Sequence, residues 1–196
     1  MAIKKDADKK YLTQGELKKL FDTIERKGSN RDYVMFQIAY NLGLRAGEVG
    51  LMKVGDYCST TKEIYIHSLK GSIKRAVRLD DHRARILNKY LKESELEDND
   101  YIFPSLTRRN KGVGNKMMDV LMKRYAKLAK ISRDNFHSLK HSMGVHLAES
   151  GADVKEIQYH LRHKRIQNTL IYFKFTTYQQ NSFYDKIYST TNRIVK

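Results

Sequence analysis

The chain has 196 residues, with 38 Lys+Arg against 22 Asp+Glu and a formal net charge of +16, so it favours a polyanionic partner, nucleic acid first. Its single cysteine, Cys58, excludes an internal disulfide and a Cys-rich zinc site. No run approaches the roughly 20 apolar residues of a membrane-spanning helix, and the N-terminus lacks the apolar stretch of a signal peptide.

The length fits one domain with a substantial core. Residues 1–10 (MAIKKDADKK) read as a basic leader and residues 11–196 as a single domain. Cys58 is expected to be buried or half-buried. A cytoplasmic, nucleoid-associated location follows as the simplest expectation, with no membrane partner.

Thr13 and Glu16 form a capping box that opens a helix carrying Leu17, Leu20, Phe21 and Ile24, closed by Lys27-Gly28. A second helix is predicted over 30–42, with Val34, Phe36, Ile38 and Ala39 inward and Gly43 breaking it. Residues 46–52 read as a short helix with Arg45 at its start, where free N–H groups favour a phosphate. A surface ion pair between Arg45 and Glu48 is the plainer alternative. Residues 63–68 (EIYIHS) alternate as a strand, and 76–79 (AVRL) as its partner. Lys70, Lys74 and Arg75 crowd the turn between them.

An amphipathic helix is predicted over 80–94, followed by the acidic loop 95–100 and a short buried extension, 101–104. The loop 107–114 (TRRNKGVG) is basic and glycine-containing, so Arg108, Arg109 and Lys111 suit a phosphate backbone. Residues 115–130 form a helix with Met117, Val120, Leu121, Tyr125 and Leu128 as its apolar residues. A further helix over 138–149 places His137, Lys140 and His141 at i, i+3 and i+4. Leu139, Met143 and Leu147 form its core stripe. Gly151 closes it with a positive φ, and Asp153 with Glu156 caps a helix over 154–160. His163 and Tyr172 follow, and residues 176–188 are a candidate last helix. The whole reads as mainly α with a small antiparallel β-sheet.

Two boxes stand out: Gly43-Leu44-Arg45-Ala-Gly-Glu48 with Leu51 and Asp56, and His137-Ser-Leu-Lys140-His141 with Gly151, Leu161-Arg162-His163 and Thr169-Leu-Ile-Tyr172. In that order they resemble the tyrosine recombinase (phage integrase) family, whose pattern is Gly-Leu-Arg-x-x-Glu, then His-x-x-Arg-His, Leu-Gly-His and Thr-x-x-Tyr. The chain is similar in size to the fimbrial phase-variation invertases, with no room for a separate N-terminal core-binding domain. The resemblance implies the recombinase catalytic-domain fold and a set of roles. Arg45 clamps the scissile phosphate, Lys70 (with Lys74 in reserve) protonates the leaving oxygen, and His137 assists as acid/base. Lys140 fills the second clamp position, His163 donates to a non-bridging oxygen, and Tyr172 attacks to form a 3′-phosphotyrosine. His141 and His146 are expected to be structural, and Gln158 and Thr169 packing residues.

A tyrosine with an ordinary pKa of about 10 needs cationic neighbours or a base to act at neutral pH, and the boxes offer both. No His-Glu-x-x-His or Cys/His set is present, so no metal or other cofactor is expected. The chain departs from the family pattern twice: Lys140 stands at the arginine, and Arg162 at the glycine. Lysine is a point charge without arginine's bidentate fork. The implied function is site-specific recombination of duplex DNA, with self-association into a dimer or tetramer on the DNA. The alternatives are a DNA-binding protein of recombinase fold with little or no cleavage, a relaxase-like nicking enzyme, and a general basic RNA-binding domain.

Overall fold

The computed structural model describes residues 10–69, 72–108 and 110–175, so Lys70, Arg109 and the helix expected over 176–188 lie outside the described residues. Helix α1 (Gln14–Lys27) starts on its capping box: Thr13 accepts from the Glu16 N–H, and Glu16 accepts from the Thr13 N–H. In α2 (Asn30–Asn41), Val34, Met35, Phe36, Ile38 and Ala39 are all fully buried. A helix apolar on nearly every side belongs in the middle of a domain. Accordingly α2 packs against α1, α4 (Asp81–Ser94) and α6 (Ser138–Glu149). Phe36 meets the edges of Tyr125 and Phe136 with ring centroids 5.8 and 5.0 Å apart.

Gly43 (φ +55) turns the chain out of α2 and into α3 (Ala46–Val49). This helix is shorter than the expected 46–52. The Met52 carbonyl accepts from the Ile102 N–H at 2.9 Å, and Lys53 bridges Tyr101, so the chain is drawn into an extended pairing. The sheet has three antiparallel strands in the order β1 (Tyr57–Cys58), β2 (Glu63–Ile66) and β3 (Arg75–Arg78). Ile64 and Ile66 are buried and Glu63 and Tyr65 exposed, the period-two pattern of a one-sided sheet. β1 is too short to show a periodicity, and the sequence reading did not include it. Cys58 lies opposite Glu63 and shares its outward face, so it is exposed rather than buried.

The apolar face of α5 (Asn115–Ala129) also differs from expectation. Met118, Leu121, Met122, Tyr125 and Ala126 are buried, while Met117, Val120 and Leu128 are exposed. Both stripes contain Leu121 and Tyr125. The Tyr125 hydroxyl donates to buried Asp32 at 2.7 Å, which fixes the rotation toward α1 and α2.

Gly151 (φ +91) follows α6, and Asp153 with Glu156 caps α7 (Val154–Leu161), both as expected. The chain then runs through α8 (Gln167–Leu170) into a 3₁₀ turn, Ile171–Phe175. A second, smaller core forms here from Val145, Ala148, Ile157, Leu161 and Tyr172. Among the described residues no helix is long and apolar enough to cross a membrane.

Phe36→Ala should cost about 3–5 kcal/mol of stability, as truncation of a fully buried aromatic does. Chemical denaturation measures this, and a loss below about 1 kcal/mol would remove Phe36 from the centre of the core.

Candidate active site

The site is built on a buried carboxylate. Glu48, in the single turn of α3, has no solvent exposure. Its Oε2 accepts from the Arg45 N–H at 2.9 Å and its Oε1 from Arg45 Nη1 at 3.3 Å. Arg162 Nη2 stands 3.8 Å from Oε2. Burial alone would raise the Glu48 pKa, but Lys140, the Arg45 N–H, Ser72 and Arg162 outweigh it and hold the group below its ordinary value. The expected pairing of Arg45 with Glu48 therefore exists, but on an interior carboxylate. It leaves Arg45 half-buried with a bond to Ser72 Oγ.

Lys140 does not project from α6 into solvent. It is 1% exposed, and its Nζ donates to the Gly43 carbonyl at 2.6 Å and the Leu161 carbonyl at 3.1 Å. Burial first, and then the Arg162 and Arg45 charges, bring its pKa down to about 7 against the pull of Glu48. Arg162 follows α7 in the left-handed conformation (φ 57), which costs a non-glycine residue about 1–2 kcal/mol. Its buried guanidinium donates to the carbonyls of Leu42 (2.9 Å), His160 (3.1 Å) and Gly43 (3.4 Å).

Next to these cations lies an aromatic layer. The Tyr172 ring is 2% exposed and nearly parallel to His163, at 13° with centroids 6.2 Å apart. His141 meets Tyr172 edge-on at 5.8 Å and His137 at 4.6 Å. Burial pushes the Tyr172 phenol up, and the Arg45 charge pulls it part of the way back. Burial and then Lys140, Arg45 and Arg162 depress His163 to about 3. Burial, with His137 and the nearby lysines, depresses His141 to about 4. His137 opens to solvent at the start of α6, and its pKa is also lowered, by burial of part of its ring and by Lys140 and Arg45. At neutral pH the layer therefore holds uncharged imidazoles beside the Arg45 and Arg162 guanidiniums, with Lys140 near half-protonation.

Thr169 and Gln158 do more than pack. Thr169 Oγ1 and His163 Nδ1 hydrogen-bond at 2.9 Å, and Gln158 Nε2 donates to the His163 carbonyl at 3.1 Å. His146 is bonded to the Tyr40 hydroxyl at 2.8 Å, whereas His141 lines the tyrosine ring. The β2–β3 turn joins the site from the other side: Ser72 bridges His163, and the Ile73 N–H donates to the Arg162 carbonyl at 2.9 Å.

Arg45, Lys140, His137, His163 and Tyr172 are thus gathered in one place. The other candidates lie around it. Lys74, Arg108 and Lys111 are exposed. Arg75 stacks over the Tyr159 ring at 3.4 Å and donates to its carbonyl. Asp56 hydrogen-bonds His67 at 2.8 Å and accepts from the Lys53 N–H, away from the tyrosine. Among the described residues no group of three or more His, Cys, Asp or Glu side chains is placed to hold a metal ion. Two participants escaped the sequence reading. Ser72 carries no local signal. Gly144 is the floor under the nucleophile candidate, since a Cβ there would lie 2.6 Å from Tyr172 Cζ.

The mostly helical fold with its small antiparallel sheet, and a tyrosine among arginine, lysine and histidines, define a tyrosine recombinase catalytic domain. Residues 10–178 match the phage integrase family, and the chain belongs to that family. The tyrosine recombinase XerA of Thermococcus kodakarensis is 32% identical over 168 residues, covering 85% of this chain and 58% of that protein. The crystal structure of XerA recombinase aligns with a TM-score of 0.76 at 25% identity, over 90% of this chain and 64% of that one. XerH site-specific recombinase, in a post-cleavage complex with palindromic difH substrate, shares the fold with a TM-score of 0.75 at 23% identity. It covers 91% of this chain and 53% of that one. The chain therefore spans little more than half the length of the curated relative it matches.

Two outcomes follow from this geometry. Gly144→Ala raises helix propensity but drives a methyl into the Tyr172 ring. It should slow any reaction of Tyr172 about 100-fold, as misplacement of a reacting group does, measured by single-turnover kinetics with α6 still folded by circular dichroism. Lys140 releases its proton near pH 7 when folded and near 10.5 when unfolded. Between those values the unfolded chain binds more protons, so this group makes stability rise with pH. Thermal melts should show the parent chain gaining stability from pH 7 to 10 relative to Lys140→Met.

Proposed function

We propose that the chain is a site-specific DNA recombinase that cleaves and rejoins duplex DNA through a 3′-phosphotyrosine on Tyr172. The observation that carries this reading is the packing of the Tyr172 ring against His163 and His141 within the field of Arg45. Family membership and the DNA-bound XerH complex of like fold support it.

In this reading the Tyr172 hydroxyl oxygen attacks phosphorus, the bond to the 5′ oxygen breaks, and a phosphotyrosyl ester replaces it. One ester is exchanged for another, so rejoining needs no nucleotide cofactor. Arg45 neutralises the non-bridging oxygens, the main electrostatic contribution to such a transition state. In this reading the Thr169 hydroxyl donates to Nδ1, so His163 keeps its proton on Nε2 and hydrogen-bonds through it to a phosphate oxygen. A neutral His137 accepts the phenol proton, and Lys70 (or Lys74) returns one to the leaving 5′ oxygen. Lys74, Arg75, Arg108, Arg109 and Lys111 extend the positive surface along the duplex, and protomers pair on two sites.

A second reading is a DNA-binding protein of the same fold without cleavage. The observation favouring it is the Lys140 ammonium, which is turned onto two backbone carbonyls.

Trapping separates the two. The chain is incubated with nicked duplex fragments of its source genome, denatured and digested, and the nucleotide-bearing peptide is mapped by mass spectrometry. Recombination chemistry predicts a phosphonucleotide on Tyr172 that disappears in Tyr172→Phe. Retained DNA without any covalent adduct supports the binding reading and removes the enzymatic one.

A further inference from the structure

We propose that Arg162 is a positioning residue for Arg45, and that Lys140 and Arg162 form one coupled pair whose sizes and donors are matched to one closed space. The inference rests on the recombinase reading and concerns how its phosphate clamp is held.

Both side chains converge on one point. Lys140 Nζ and Arg162 Nη2 donate to the same oxygen, the Gly43 carbonyl, at 2.6 and 3.4 Å. Both act on the same carboxylate, Glu48. Each is 1% exposed, so they share one closed space. A guanidinium at position 140 would overrun the volume that Arg162 fills. The two departures from the family boxes, lysine for arginine and arginine for glycine, thus meet in space although 22 residues apart in the chain.

What the pair holds is the turn that launches Arg45. The Arg162 guanidinium takes the carbonyls of Leu42 and Gly43, the two residues that begin the turn. It also flanks Glu48 Oε2, which accepts from the Arg45 N–H. Arg162 holds a backbone conformation that glycine adopts far more readily. Such a conformation persists at a bulky residue only where the surroundings over-determine it, and here three carbonyls and a carboxylate do so. The neighbouring β2–β3 turn is fixed to the same residue, through the Ile73 N–H on the Arg162 carbonyl. One residue therefore ties α7 and the α2–α3 turn through its side chain, and the hairpin through its backbone carbonyl, to a common frame.

The test is a double-mutant cycle read in two ways, by thermal melting and by the rate of Tyr172–DNA adduct formation on the trapped site. Arg162→Gly and Arg162→Gln should each lower the melting temperature and slow adduct formation at least about tenfold, a factor that a lost positioning contact readily supplies. Lys140→Arg alone should also lower both. The combination Lys140→Arg with Arg162→Gly should restore both readings toward those of the parent chain, well above either single variant. The proposal is overturned if the combination shows merely the sum of the single effects. It is equally overturned if Arg162→Gln shifts melting but leaves the adduct rate unchanged below its melting temperature, which would make Arg162 structural filler. Absence of any adduct from the parent chain refutes the recombinase reading instead, and the melting cycle then decides the coupling alone.

Discussion

A carboxylate shut away from water sets the conditions for the rest of this domain. Glu48 has no exposed surface, and an isolated buried charge is untenable; removing one member of a buried pair typically costs about 3–5 kcal/mol. Three cations from three parts of the chain answer it: Arg45 from the end of the α2–α3 turn, Lys140 from α6 and Arg162 from the end of α7. The carbonyl acceptors of Lys140 and Arg162, at Leu42, Gly43, His160 and Leu161, all lie where helices end and backbone oxygens lack helical partners. The network caps helices and concentrates positive charge with the same atoms.

That concentration decides the protonation of its neighbours. Burial, combined with Lys140, Arg45 and Arg162 at His163 and with His137, Lys10, Lys140 and Arg45 at His141, keeps both neutral near pH 7. The fixed positive charge therefore resides on the guanidiniums of Arg45, held by Glu48 and Ser72, and of Arg162, held by backbone carbonyls. The imidazoles remain available to hand protons on or accept them. Thr169 and the Gln158 side chain orient His163, and Ser72 ties the hairpin to the same histidine.

Local rules were readable in the sequence. The capping boxes at Thr13–Glu16 and Asp153–Glu156 involve residues three apart, and Gly151 takes its positive φ from adjacent geometry. The alternation of Glu63 to Ile66 likewise shows on its own. What failed depended on distant partners. α5 carries two overlapping apolar stripes, and its distant partners, α1 and the Asp32 carboxylate 93 residues from Tyr125, select between them. Cys58 is exposed because of the register of a two-residue strand. In the site, Arg45, His163 and Tyr172 were nameable as candidates through the family resemblance that their boxes carry. The burial of Lys140, the inward course of Arg162 and the emptiness required at Gly144 were not, because each is a statement about what fills a space.

Tyr172 belongs to the small core between α6 and α7, alongside Val145, Ala148, Ile157 and Leu161. The ring proposed as nucleophile is thus also a wedge. Reaching outward to a sugar–phosphate strand would leave a hollow behind it, lined by aliphatic side chains and the bare backbone of Gly144. An unfilled apolar void is unfavourable in proportion to its volume, so under the proposed chemistry the resting position is a latch that the grip on DNA would have to release.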